Sequence, residues 1–227
     1  MEKFDNVFKL LKIRGPMHLQ IIEQTGSNFN LIHNKLKLMH DELKKKLEKI
    51  DPRIPLKVES DSEFEVNLTI SDDLLVFVHH TNVFTFESSH SLWKTSYVAE
   101  NPLRAHCGMI SIYNFLNDSF KYQRTNDIGI LVGRIFINAE NHFFIEGKGQ
   151  LGFLYNDFAN SILTEDVICN LLETVIIGCL QEDLFVPPIE QVYRVSMQEL
   201  DANSLSSSIS TGKRLGFKFQ NEQNKPE

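Results

Sequence analysis

The chain has no long hydrophobic run. No window approaches the roughly 18 consecutive apolar residues that a membrane-spanning helix requires. The opening MEKFDNVFKLLKIRG mixes acids and bases where a signal peptide would carry an uninterrupted apolar core. Neither a membrane span nor secretion through a signal peptide is therefore expected. Cysteine is scarce as well: Cys107, Cys169 and Cys179 are odd in number and form no CxxC pair, so no disulfide framework or structural zinc site is indicated. A reducing cytosol suits such a chain. Basic charge is in deficit, with 23 Lys and Arg against 30 Asp and Glu, a net charge of -7. This argues against a surface that binds nucleic acid mainly by neutralising phosphates. Among the 11 glycines, Gly147, Gly149 and Gly152 follow a strand at GxGxxG spacing, but the next convincing helix is expected more than ten residues later, so they read as bulge, turn or close backbone approach; there is no GxxxxGK[ST], HExxH or GxSxG.

What the chain does have is phenylalanine, 17 in 227 residues, within an apolar share of 42% that is ordinary for a globular protein. Aromatic burial is the expected main source of stability, and the length suffices for one sizeable core.

Two patterns alternate along the sequence. Phe4, Val7, Phe8 and Leu11 share one face of a short amphipathic helix that Gly15-Pro16 is expected to stop. Its lysines, Lys3, Lys9 and Lys12, leave a lipid-surface role open beside packing on the body. Ser27 is expected to cap a second helix running to about residue 50, with Phe29, Ile32, Leu36, Met39, Leu43, Leu47 and Ile50 on one stripe for core packing or a dimer seam. Residues 63–70 alternate strictly and read as a half-exposed strand. Ser71-Asp72-Asp73 and Thr81-Asn82 suggest turns of an antiparallel meander. Residues 88–104 read as a long connection that packs Trp93 and Tyr97, residues 108–115 as a strand, and residues 117–126 as a loop.

The strongest signal is a central hairpin over residues 128–146, turning at Ala139-Glu140. A two-residue turn there would place Arg134 opposite Ile145, Phe136 opposite Phe143 and Gly133 opposite Glu146. Both faces of the hairpin are largely apolar, so it is expected in the middle of a sheet and covered. Thr164 then caps the clearest helix, residues 164–182, whose first turn carries Glu165-Asp166 and whose broad apolar stripe should pack on the sheet. After Pro187-Pro188, residues 189–195 suggest an edge strand, residues 203–211 a Ser-rich linker and residues 212–220 a last strand.

Several chemistries deserve a test. Asp127 upstream of Glu146-Gly147-Lys148 has the spacing of a metal-dependent nuclease, in which the carboxylates bind Mg²⁺ and the lysine orients water. The hairpin pairing puts Asp127 about 20 Å from Glu146 at about 3.3 Å per residue, which opposes a shared metal. A strand-end charge pair is the plainer reading. His106-Cys107 beside Arg104 suggests a thiolate nucleophile, yet adjacent residues of a strand point to opposite faces. The same alternation splits His79 from His80, the other candidate metal ligands. Finally, Tyr113, Asn114, Tyr122, Phe153 and Tyr155, with Phe120 nearby, would suit a groove for a peptide or small ligand if they converge.

The expected fold is α+β: N-terminal helices, a mostly antiparallel sheet of five to seven strands, and the helix over residues 164–182 packed on it. Residues 1–15 form the amphipathic helix, 16–200 one domain, and 201–227 the linker, terminal strand and tail. The order helix, meander, hairpin, helix resembles small chaperone-like and regulator modules of the type III secretion chaperone kind. The leading expectation rests on the lack of an assembled catalytic set, the acidic charge, the abundant aromatics and the Ser-rich segment before a last strand: a cytosolic adaptor or chaperone-like regulator that binds another protein through an edge strand or helix groove, with a homodimer in view, and without catalysis, cofactor or metal. The competing expectations are the Mg²⁺-dependent nuclease of Glu146, Lys148 and Asp127, and a small-ligand sensor.

Overall fold

The computed structural model describes residues 2–125, 127–147, 149–184, 189, 196 and 197. Its first element is one continuous helix, α1 (Glu2–Leu47), in place of the two expected. Gly15-Pro16 does not stop it. Proline removes one backbone donor and penalises a helix without forbidding it, and the buried stripe that follows, Met17, Ile21, Phe29, Ile32 and Leu36, holds the rest of the helix on the sheet. Ser27 lies inside the helix and caps nothing.

Six strands follow in an antiparallel meander whose spatial order is the chain order: β1 (Leu56–Ser62), β2 (Glu65–Ile70), β3 (Asp73–Phe84), β4 (Cys107–Leu116), β5 (Ile130–Asn138) and β6 (Phe143–Gly147). β3 runs through the expected turn at Thr81-Asn82 and absorbs it as a register shift between His80 and Phe84. Short helices interrupt the connections: α2 (Ser96–Glu100), between 3-10 turns Ser91–Lys94 and Pro102–Ala105, then α3 (Asn117–Lys121) and α4 (Gln150–Leu154). The last described helix is α5 (Glu165–Leu180). Thr164 caps it as expected, its hydroxyl accepting from the Val167 amide.

Strand alternation gives the sheet two unlike faces. The inner face carries Val66, Leu68, Leu75, Phe77, Ile110, Ile112, Ile135, Ile137, Phe143 and Ile145. These join Phe29, Ile32 and Leu36 of α1 and Ile168, Leu171, Leu172 and Val175 of α5 in one core. The Lys35 ammonium pairs with Glu165 where the two helices meet. The outer face is covered only in part. Across β4–β6 it is roofed by residues 85–106, which bring Leu92, Val98 and Phe86 onto Cys107, Phe136 and Phe144. This is the predicted connection, and Trp93 and Tyr97 pack as expected.

The hairpin exists, but at one margin of the sheet rather than in its middle, and its register differs by one residue. Gly133 faces Gly147, Arg134 faces Glu146 and Ile135 faces Ile145. A two-residue turn on Ala139-Glu140 would need left-handed backbone at both positions. The chain uses three residues instead and places the left-handed conformation on Asn141, at φ 62. Asparagine tolerates it. The outer edge of β6 is closed by the following segment, with the Phe143 amide donating to Ser161 (3.1 Å) and the Ile145 amide to Tyr155 (2.7 Å). The edge strand proposed over residues 189–195, apart from Ile189, lies outside the described residues, as do the Ser-rich linker and terminal strand.

Candidate functional site

The part of the outer face not covered by the 85–106 roof is faced at its other end by residues 117–125 and Asp127, and a cleft of about 610 Å³ opens between them and the sheet. Leu74 and Val76 of β3 and Phe115 of β4 form its apolar floor, and Glu65 of β2 stands at its edge. The opposite wall comes from Ser119, Phe120, Gln123, Arg124, Thr125 and Asp127.

Local chemistry explains why the chain folds back here. The Asn117 amide donates to the Asp72 carbonyl (2.8 Å), tying the start of α3 to the β2–β3 turn. Gln123 takes φ 50, and the Arg124 amide returns to the Ser119 carbonyl at 2.8 Å. The Ser119 hydroxyl donates to Asp127 Oδ2 at 2.6 Å, and Arg124 Nη1 lies 3.8 Å from the same oxygen with its side chain only 8% exposed. Just before β5, Gly129 passes close to the floor residue Phe115: a β-carbon there would stand 2.2 Å from the Phe115 ring.

The cleft thus pairs an apolar floor with a rim of fixed charge, Glu65 and Asp127 negative and Arg124 positive. Next to Glu65 on the same face, Asn67 donates its Nδ2 to Glu65 Oε1 at 2.9 Å and is almost wholly buried. Phe120, 55% exposed, stands at the mouth.

The five residues proposed as a groove are not brought together. Tyr113 is half-buried on the outer face, in register with Val76 and Leu131. Asn114, its neighbour, points inward and gives Nδ2 to Asp73 Oδ1 at 3.0 Å. Tyr122 lies on the surface with the cations of Lys121 and Arg124 over its ring at 5.0 and 5.3 Å. Phe153 is 80% exposed on α4, while Tyr155 packs inward against Phe143, ring centres 6.0 Å apart. Of the aromatic crowd seen in the sequence, Phe120 is the member that lines the cleft.

The other candidates are placed as follows. Glu146 stands on the outer face of β6, ion-paired to Arg134 and 3.5 Å from His90 Nε2. Asp127 is engaged at the cleft wall by Ser119, ahead of the first residue of β5, whereas Glu146 pairs with Arg134 inside that strand. Glu100 pairs with Arg104 at 3.2 Å. Lys148 lies outside the described residues. Among the described residues, no group of three or more His, Cys, Asp and Glu is arranged to hold a metal ion.

Alternation splits both adjacent pairs, as expected. His79 points inward and stacks on Phe29 at 5.4 Å, while His80 points outward to Ser111 Oγ at 3.0 Å. Burial holds both imidazoles below their ordinary pKa. His106 turns to α1, its ring 6.3 Å from that of His18 and its Nδ1 donating to the Leu103 carbonyl at 3.2 Å. Cys107 is fully buried beneath the roof, and that burial pushes its thiol well above the ordinary thiol range, so it stays protonated.

A polar latch that residue-by-residue reading missed fastens the roof to the hairpin turn. Arg104 donates to Glu140 Oε1 (2.9 Å) and lies 4.2 Å from the Tyr97 ring centre. Tyr97 donates its hydroxyl to Glu140 Oε2 (2.9 Å) and accepts from Asn138 Nδ2 (2.9 Å). Burial pushes the Tyr97 phenol up to about 12, against the Asn138 bond, and Arg104 holds the Glu140 carboxyl below its usual range. The signal was the placement of Glu140 in the hairpin turn, where it faces whatever crosses that turn.

Compared with known proteins, the chain matches no family model, no curated protein and no solved structure.

Proposed function

We propose that the protein is an interaction module, an adaptor or chaperone-like regulator without catalytic activity, that receives an apolar segment of another protein in the outer-face cleft. The observation that carries this reading is the cleft itself: an apolar floor of the buried Leu74 and Val76 and the half-buried Phe115 beside the exposed Phe120, edged by the Glu65 and Asp127 carboxylates. Apolar floors with a few fixed polar groups are the usual chemistry of recognition sites. Asp127 is engaged by Ser119 and Arg124, so the Glu65 carboxylate at the edge, with the net charge of -7, favours a partner segment that places a basic residue beside its apolar anchor. We assign it to the cytosol, where the free thiols Cys107, Cys169 and Cys179 stay reduced.

A peptide-display selection on the full-length protein tests the reading. Enriched peptides should share an apolar anchor next to Lys or Arg and should lose about tenfold or more in affinity on Phe120→Asp. Glu65→Gln should weaken the basic position alone. Peptides that bind Phe120→Asp as well as wild type, or no enrichment at all, would overturn it. A second reading, a small-ligand sensor, draws on the cleft volume of about 610 Å³, which lies inside the range of about 300–1,000 Å³ typical of small-molecule pockets. Thermal stabilisation by a metabolite mixture, abolished by Phe120→Asp with no peptide selected, would favour it.

A further inference from the structure

We propose that the first part of α1 is an interfacial helix that lies on an anionic lipid surface. The first buried residue of α1 is Met17, and every side chain from Lys3 to Arg14 is exposed, so this stretch projects from the body instead of packing on it. At about 100° per residue, Phe4, Val7, Phe8 and Leu11 fall within an arc of about 100°. They are 76%, 51%, 64% and 64% exposed. Lys3 and Lys12 flank that arc, about 90° to either side of its centre, and Arg14 lies near the Lys3 border. Cations bordering an aromatic and aliphatic stripe are the pattern of a helix lying in a membrane interface, where the long basic side chains reach back to the headgroups.

The distribution of charge points the same way. Residues 2–14 hold four cations, Lys3, Lys9, Lys12 and Arg14, and two acids, Glu2 and Asp5, a net of +2; the remaining chain therefore carries -7 - 2 = -9. An anionic surface attracts the tip and repels the body, which orients the protein tip-first. Gly15 and Pro16 stand where the helix leaves the body, and Pro16 cannot donate to the Lys12 carbonyl. The projecting turns can therefore bend to lie flat.

A second copy of the chain fits less well. The stripe Phe4, Phe8, Leu11 follows heptad spacing, but the next two positions are Gly15 and His18. The apolar seam ends well short of the three to four heptads a stable pair needs, and parallel tips would bring their cations together.

The test is co-sedimentation of the full-length protein with vesicles of phosphatidylcholine alone and of phosphatidylcholine with phosphatidylserine. Binding should require phosphatidylserine, weaken with added salt, and fall at least tenfold in the double variant Phe8→Glu, Leu11→Glu. Both positions are exposed, so the variant keeps its fold, which circular dichroism and melting temperature verify. Lys3→Glu with Lys12→Glu should weaken binding through charge alone, while Phe120→Asp, at the cleft, should leave it unchanged. No binding to phosphatidylserine vesicles, or equal binding by the Phe8→Glu, Leu11→Glu variant, would overturn the proposal. So would a concentration-dependent dimer in light scattering that this variant abolishes, since the stripe would then belong to a second copy.

Discussion

Gly108 of β4 and Thr25 of α1 meet so closely that a β-carbon at position 108 would stand 2.0 Å from Thr25 Oγ1 and 2.9 Å from its Cβ. The long helix can lie down on the sheet because this strand position has no side chain. Thr25 cannot swing aside freely, since its hydroxyl donates to the Ile21 carbonyl at 2.7 Å. Gly108→Ala should cost about 1–3 kcal/mol by overpacking, read as a lower urea midpoint at unchanged slope. Thr25→Ala in the same chain removes the nearest atom and should recover part of the loss. An unaltered midpoint in the single variant would show that the helix does not cross here.

His79 makes the fold acid-sensitive. It is buried against Phe29 and Phe64, and its Nε2 has no hydrogen-bond partner among the described residues. Desolvation lowers its pKa from the ordinary 6.5, His80 adds to the lowering and Glu63 opposes it. A base held neutral in the fold is protonated first in the unfolded chain, so its contribution to stability is present above pH 6.5 and is lost as pH falls below that value. The urea midpoint should drop between pH 7.5 and 5.5, and His79→Phe should flatten that dependence. His33, His80 and His106 are lowered in the same sense and will leave a residual slope.

Asn141 ties three elements together. It holds the left-handed position of the hairpin turn, accepts from Asn28 Nδ2 of α1 at 2.9 Å and donates to the Leu163 carbonyl at 2.9 Å. Asn141→Gly keeps the backbone relaxed and loses both bonds, at about 1–3 kcal/mol if each contributes about 0.5–1.5. Asn141→Val loses the bonds and adds strain, so its melting temperature should fall further. If the two variants melt together, the turn does not need the left-handed residue.

That residue also shows where the sequence was legible. Strands β2 to β6, the α5 cap at Thr164 and the split of His79 from His80 follow from short-range periodicity and local capping chemistry, whereas β1 (Leu56–Ser62), exposed along most of its length, was not legible. The hairpin register depends on which turn residue can take positive φ. Ala139-Glu140 offers two poor candidates, and Asn141 next to them was the overlooked cue. The cleft was harder to see. It joins Glu65, Leu74, Val76 and Phe115 to the segment from Ser119 to Thr125 and to Asp127, which become neighbours only through the order of the sheet. Continuity of α1 through Gly15-Pro16 was illegible because local propensity opposes it, while the anchoring contacts lie further along, from Met17 onward.

Pro16 should therefore be the weak point of α1. A proline inside a helix costs about 3 kcal/mol relative to alanine, through its missing donor and its clash with the preceding turn. From Met17 the helix is held by burial against the sheet; among the described side chains before it, residues 3–16, none is buried, and backbone hydrogen bonds keep the turns formed. The amides of residues 3–14 should exchange with solvent far faster than those of residues 21–36. Pro16→Ala restores the donor to the Lys12 carbonyl and should slow exchange in residues 3–14, by up to about two orders of magnitude if the 3 kcal/mol is expressed there, with the urea midpoint of the body unchanged. Hydrogen exchange read by mass spectrometry on peptides either side of position 16 separates the two regions. Equal protection on both sides in the wild type would mean that the projecting turns are held by contacts beyond their own backbone.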